Sequence, residues 1–148
     1  MKKLVAVNGF AVACILVIIS YFFFEQAETE LANGETNAIQ QDDFILHIRV
    51  ENVDEGFQVF RALQYVGEGS VEMKHHTPLI SVSFKNKNHD YTGSTVTKSL
   101  NTGISYHPQS AKRFKRPSEG TYTLFCEARF MVNDQHITIH HQQELVFN

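Results

Sequence analysis

From Phe44 to the C-terminus the apolar residues recur at every second position. Phe44, Leu46, Ile48 and Val50 fall on one side of an extended chain, with Ile45, His47 and Arg49 on the other. Phe57, Val59, Leu63 and Tyr65 repeat the pattern, interrupted by Arg61. Val71 and Met73 alternate with Glu72 and Lys74, and after Pro78, Ile80, Val82 and Phe84 alternate with Ser81 and Ser83. Thr95 to Leu100 is a shorter run. Tyr122, Leu124, Cys126, Ala128, Phe130 and Val132 give the cleanest alternation, and Ile137, Ile139, Leu145 and Phe147 mark a last strand. Successive side chains of a strand point to opposite faces, so this pattern predicts half-buried strands in antiparallel sheets. Asn52 to Gly56, Gly67-Glu68-Gly69, Asn86 to Asp90 and Asn133-Asp134 supply the residues that tolerate tight turns. The last of these predicts a C-terminal hairpin. No helical period of useful length occurs after residue 43. About seven strands at this spacing predict an all-β, antiparallel two-sheet sandwich over residues 44–148.

The start of the chain follows a different rule. Leu4 to Phe24 is a run of 21 residues without a charge. Roughly 20 apolar residues at about 1.5 Å each span a hydrocarbon core of about 30 Å. Residues 1–24 are therefore expected to form a transmembrane signal-anchor helix, with Tyr21 to Phe24 at its outer interface. Lys2 and Lys3 precede the run, and Glu25, Glu28 and Glu30 follow it. That asymmetry orients the N-terminus to the cytoplasm and the rest outside. Two alternatives remain at this point. A cleaved signal peptide has a shorter apolar core, which would leave a secreted domain. Ala11-Val12-Ala13 before Cys14 also resembles a degenerate lipoprotein box, although the apolar run continues well beyond it. Residues 25–43 are polar, acidic and poor in large apolar side chains, and are expected to be a linker.

Charge and cysteine content narrow the classes. Two of the 13 basic residues precede the apolar run and all 16 acidic ones follow it, so the remainder holds 11 basic and 16 acidic residues. A mildly acidic domain lacks the basic field that phosphate backbones require, and nucleic acid is not expected as a partner. The two cysteines, Cys14 and Cys126, would lie in different compartments and cannot pair. The domain must be held by its apolar core, which about 105 residues allow.

Ser118-Glu119-Gly120-Thr121-Tyr122-Thr123-Leu124 resembles the corner before the penultimate strand of immunoglobulin-like and fibronectin type III-like domains. The resemblance implies that the Tyr122 hydroxyl ties the corner back to the backbone. It covers about seven residues and the strand count, and it implies a fold rather than a function. The chain departs from antibody-type domains in having Leu124 where their second cysteine would stand, and no tryptophan.

Candidate chemistry is sparse. Eight histidines invite a metal site, but His75 and His76 are adjacent on a strand and point apart. His136 and His140 share a face yet lie about 13 Å apart along an extended chain. They are read as surface or rim histidines, with no metal ligand assigned. No strained nucleophile turn, phosphate loop or carboxylate pair is present, so no catalytic residue and no cofactor is expected. Cys126 falls on an apolar strand face and is read as an inert core residue. The one charge run is Lys112-Arg113-Phe114-Lys115-Arg116, expected as a loop before the Tyr122 corner. Four cations around an aromatic suit anionic lipid headgroups, wall polymers or an acidic protein. The resulting expectation is a membrane-anchored, extracytoplasmic, non-enzymatic binding module of the bacterial cell envelope, with a protein or envelope-polymer partner. Two alternatives accompany it: a small proteinase inhibitor presenting the loop from Asn86 to Ser94, and an envelope protein that senses metal or pH through its histidines.

Overall fold

In the computed structural model, residues 30–32 and 34–148 are described. The expected transmembrane helix at residues 1–24 and the first part of the linker lie outside them. The described residues form ten strands: β1 (Glu35–Gln41), β2 (Phe44–Val53), β3 (Gly56–Tyr65), β4 (Ser70–His76), β5 (Ile80–Phe84), β6 (Thr95–Asn101), β7 (Ser105–Tyr106), β8 (Lys112–Lys115), β9 (Gly120–Val132) and β10 (Gln135–Phe147). Every pairing is antiparallel. The first sheet runs β1-β2-β3, and β7 and β8 share the far edge of β3. The second runs β10-β9, where β4 and β5 share the far edge of β9 and β6 lies outside β4. The described residues form an all-β two-sheet antiparallel sandwich.

The period-two pattern becomes the core. Leu46, Ile48, Phe57, Val59 and Leu63 of the first sheet face Met73, Ile80, Leu124, Ala128 and Leu145 of the second, all buried. Phe57 is the aromatic centre of one end. It stacks on Phe114 at 5.1 Å and meets Phe84 and Phe147 at 4.9 and 5.4 Å between ring centroids. The β9–β10 hairpin closes through Asn133 and Asp134 with φ of 50° and 61°, the left-handed pair that a two-residue turn of right-twisted strands requires.

The expected linker at residues 25–43 is corrected by this fold at its described residues, 30–32 and 34–43. Glu30 exchanges two backbone hydrogen bonds with Asn148, and the Ala32 N–H donates to the Val146 carbonyl. Leu31 is buried in the core, and Asn52 holds its N–H and carbonyl with one side-chain amide at 3.1 and 3.0 Å. Glu35–Gln41 then pairs along β2 as an edge strand. Such a strand needs few apolar side chains, because its stability comes from main-chain pairing and from single anchors such as Leu31 and Ile39. The domain therefore begins at least as early as Glu30, not at Phe44.

Two seams hold the sheets together. On one side, Asn37 of β1 donates to Gln143 of β10 at 3.0 Å. On the other, His75 of β4 meets the Tyr106 hydroxyl of β7 at 3.1 Å. The His75 Nδ1–H donates to the His76 carbonyl at 2.8 Å, so in the neutral ring Nε2 accepts from Tyr106. His75 is thus a buried inter-sheet bridge, not the surface or rim residue expected. Burial of one ring between sheets is a tertiary fact that strand alternation alone does not carry. The Tyr122 hydroxyl donates to the Ser118 carbonyl at 2.9 Å and closes the turn into β9.

Candidate functional site

Lys112 to Lys115 forms strand β8 instead of the expected loop, paired with Gly56 to Val59 of β3. The local reason is Gly56. The Phe114 carbonyl lies where a Cβ at position 56 would stand, so only glycine lets β8 approach. Pairing Phe114 with Phe57 and Lys112 with Val59 turns those two side chains inward and sends Arg113 and Lys115 outward. The basic run is therefore split. Phe114 joins the core, and the Lys112 ammonium donates to the Val82 carbonyl of β5 at 2.7 Å, tying the two sheets at their seam. Burial, and after it the Arg61 charge, lowers the Lys112 pKa. Arg116 reaches back to the Val53 carbonyl at the β2–β3 turn.

Arg113 and Lys115 share the outer face of the first sheet with Arg49. The Arg49 guanidinium lies over the Phe60 ring at 4.2 Å from its centroid, and 3.8 Å from Glu51. Glu51 also accepts from the Gln58 amide at 2.7 Å. Among the described strand residues of this face, Glu51 is the one carboxylate beside three permanent cations. The rest of the domain is acidic in balance, so this face carries the opposite sign.

A cavity of about 310 Å³ opens on the same face. Its walls come from Thr36 of β1, His47 and Arg49 of β2, Phe60 and Arg61 of β3, and the connector between β7 and β8, including Gln109. No aspartate or glutamate lines it. The cavity exists because β7 pairs with β3 only at Leu63 and Gln64, and β8 only from Gly56 to Val59. Residues 60–62 lie in the gap between them, opposite the connector. Arg61 sits in that gap at a position in line with the inward-facing Phe57, Val59 and Leu63. Its Nε and Nη1, and Oε1 of Gln109, are shut off from water and have no hydrogen-bond partner. Burial lowers the Arg61 pKa, and the charge-type contribution opposing it comes from the Cys126 thiol, not from a carboxylate. Cys126 itself is buried, and its pKa is pushed up to about 12 by that burial, with Arg61 partly offsetting it.

A second polar cluster lies on the outer face of the other sheet. Ser81, Glu127 and His140 stand side by side across β5, β9 and β10. The connector 85–94 folds down over them. The Asn88 N–H donates to Ser83 at 3.0 Å, His89 Nδ1 meets the Ser81 hydroxyl at 2.9 Å, and the Tyr91 hydroxyl contacts Glu127 at 3.0 Å. Glu127 is only 3% exposed, yet both carboxylate oxygens are engaged. Oε1 accepts from Tyr91 and from Arg129 at 3.0 Å, and Oε2 faces His140 Nδ1 at 2.8 Å. Burial pushes the Glu127 pKa up, but the Tyr91 hydrogen bond and the charges of His89, His140 and Arg129 together outweigh it and leave it below the usual carboxylate value. Burial lowers the His89 pKa despite the attraction of Glu127, helped by Lys87, His140 and Arg129. Tyr91 is raised, by burial first and then by Glu127.

This second cluster is closed on itself. His89 faces Ser81, while Glu127 is taken by Tyr91, Arg129 and His140, so no serine–histidine–carboxylate relay forms. The segment from Asn86 to Ser94 is held to the sheet through Asn88, His89 and Tyr91, while its other residues are exposed. Among the described residues no group of three His, Cys, Asp or Glu side chains is placed to hold a metal ion. His136 and His140 both lie on the outer face of β10, and His47 lies on the outer face of the opposite sheet.

No family model matches this chain, and no curated protein matches it. Among solved structures it is similar to the GAE domain of GGA2p from Saccharomyces cerevisiae, at 7% identity and a TM-score of 0.42, over 75% of this chain and 97% of that one.

Proposed function

We propose that this chain is a non-enzymatic, membrane-anchored extracytoplasmic binding module of the bacterial cell envelope, built on an immunoglobulin-like sandwich. In this reading the outer face of the β1-β2-β3-β8 sheet receives an acidic segment of a partner protein. The observation that carries it is the placement of Arg49, Arg113 and Lys115 on one outer sheet face, with Glu51 as its one strand carboxylate and with Arg49 also lining a cavity free of carboxylates, on a domain whose balance is otherwise acidic. Two of those three are arginines, whose planar donors match carboxylates. Opposed charge on the two partners steers encounter and fixes orientation. The uncharged run Leu4 to Phe24 supports the anchor, and Lys2 and Lys3 support its orientation. The Tyr122 hydroxyl bond to Ser118 supports the immunoglobulin-like corner.

The test uses the full chain in neutral detergent micelles, titrated with poly-glutamate at low and high salt. Binding is expected for the native chain, weakening as salt rises, and is lost in the Arg113→Glu/Lys115→Glu variant. Equal binding by the native and charge-reversed chains removes the proposal. Binding to anionic lipid vesicles in preference to poly-glutamate transfers the face to the membrane instead.

A further inference from the structure

We infer that the gap in the first sheet is a binding site for a single organic carboxylate, with Arg61 as its cationic anchor and Gln109 as its second polar contact. The inference rests on the proposed function for the idea that the carboxylate belongs to a partner, but its chemistry stands on the cavity alone.

Three observations converge. First, Arg61 is a cation without a counter-charge. Two of its three guanidinium nitrogens are sealed from water and have no acceptor, and the opposing influence on its pKa is a thiol. A buried donor with no acceptor forfeits its hydration and receives nothing in return. Its charge also reaches Lys112, so two cations repel across the seam. Such an arrangement is costly unless something supplies the missing anion. Second, Gln109 Oε1 is an acceptor in the same condition at the same gap. The pair thus asks for an anion and a neighbouring donor. A carboxylate next to an amide N–H, as at the C-terminus of a peptide or in an N-acyl amino acid, carries both. Third, the cavity of about 310 Å³ is already open beside them and has the right lining. Arg49 adds a second cation, His47 and His107 add ring nitrogens, and Phe60, Ala62 and Ala111 provide an apolar wall. That volume is at the small end for ligand sites, which suits a compact acid better than a nucleotide.

Because Nε and Nη1 are sealed from water, binding requires a rotation of the Arg61 side chain toward the cavity. The strand pairing allows this, since β3 is bound by neither β7 nor β8 at residues 60–62. The carboxylate then meets the guanidinium in a partly enclosed recess, where a charge-assisted bond is stronger than a neutral one.

The test follows backbone amide shifts of the full chain in neutral detergent micelles. Hippurate is titrated against hippuramide, which has the same shape without the charge. A neutral pentapeptide with a free C-terminal carboxylate is titrated against the same peptide amidated. Saturable shifts at Arg61, His107 and Gln109 are expected with both acids and with neither amide. A peptide that binds more tightly than hippurate identifies a protein terminus as the source, and equal affinity identifies a free acid. Arg61→Met is expected to weaken hippurate binding about tenfold or more. Should that variant fail to fold, Arg61→Lys keeps the charge, loses the planar donor set and is expected to bind more weakly than the native chain. Acids and amides binding alike, an absence of saturation, or variants that bind hippurate as the native chain does would each overturn the inference. The Arg113→Glu/Lys115→Glu variant separates the two proposals. If it loses poly-glutamate binding while hippurate fails to bind the native chain, the docking face stands and the carboxylate site falls. If hippurate binds and poly-glutamate binding is unchanged by the reversal, the cavity stands and the docking face falls.

Discussion

Glu127 and Arg61 are both charged residues on strands whose neighbours are apolar, and the two sheets treat them in opposite ways. Glu127 on β9 is almost wholly buried, yet a connector lies over it, a neighbouring strand brings His140 beside it, and three side chains occupy its two oxygens. Arg61 on β3 is sealed on two nitrogens with nothing to pair them. The difference comes from the strand edges. Outside Glu127, β5 and β10 run in register on both sides of β9 and present Ser81 and His140. Outside Arg61, the edge is split between β7 and β8, and the connector in the gap offers Gln109 with an acceptor that is itself unpartnered. A complete polar network fixes structure, whereas an incomplete one leaves buried groups at a cost.

The largest effect should come from making Glu127 resemble Arg61. Replacing Arg129 and His140 together by alanine leaves a buried carboxylate with Tyr91 as its remaining side-chain donor. Both removed groups are more than half exposed, so their own charge pairing is screened and the cost arises chiefly from stranding Glu127. A loss of about 2–3 kcal/mol in urea unfolding is expected. Adding Glu127→Gln to that variant removes the stranded charge and should recover at least half of the loss. A triple variant no more stable than the double would mean that the carboxylate is not the source.

The converse change is smaller and of opposite sign. Arg61→Met keeps a long unbranched side chain in the gap and removes the unpaired charge. It should raise stability by about 1–2 kcal/mol, because an uncompensated buried cation is replaced by apolar contact with Ile48 and Ala111. A fall in the urea midpoint would show that Arg61 is paired in solution, and the contrast with Glu127 would vanish.

How much of this contrast could be read beforehand depended on what each side chain does. Alternation marked β2 and β9 because each buries a run of apolar side chains on one face, and β10 through Ile137, Ile139, Leu145 and Phe147, and Asn133-Asp134 marked the β9–β10 hairpin because such residues accept both left-handed φ values. It missed β1, whose stability is in its main chain, and β8, where an alternating Lys-Arg-Phe-Lys looked like a charge run. Arg113 and Lys115 were visible as cations, but that Lys112 and Phe114 turn inward depends on register against Gly56. Arg61 was visible as a break in an apolar face, and that break was the available signal for the cavity. Its lack of a partner depends on where β7 ends and β8 begins, which no local pattern encodes. Glu127 gave a weaker signal, as one acid between Cys126 and Ala128, and its partners Tyr91 and His140 arrive from elsewhere in the chain.

Acid should act on the second sheet before the first. The His89 pKa is depressed in the folded state, so its contribution is present above about 6.5, the value of a free imidazole, and fades as pH falls below that. The Glu127 pKa is also depressed, so its contribution is present above about 4.3 and is lost as pH falls through the lower folded value. The two signs agree. Stability should decline in two stages on acidification, with hydrogen exchange at Asn88 to Tyr91 accelerating in the first. His89→Gln should remove the first stage and leave the second. Exchange that quickens equally across both sheets would argue against a local cause.

The smallest expected change in stability is also the most informative about function. Arg113 and Lys115 project from the outer side of β8, make none of the seam contacts that Lys112 and Phe114 make, and sit where substitution is usually worth within about 0.5 kcal/mol. Reversing both charges should leave the urea midpoint nearly unchanged while abolishing poly-glutamate binding. Reversing Lys112 in the same way removes the bond to Val82 and places a carboxylate near Arg61, so it should alter stability instead of binding alone. Alternate residues of one basic run would then separate cleanly, Lys112 and Phe114 holding the sandwich shut and Arg113 and Lys115 facing the partner. If Lys112→Glu and the double reversal behaved alike, the inward and outward halves of β8 would have no distinct roles, and the outer face of the first sheet would lose its claim to be a docking surface.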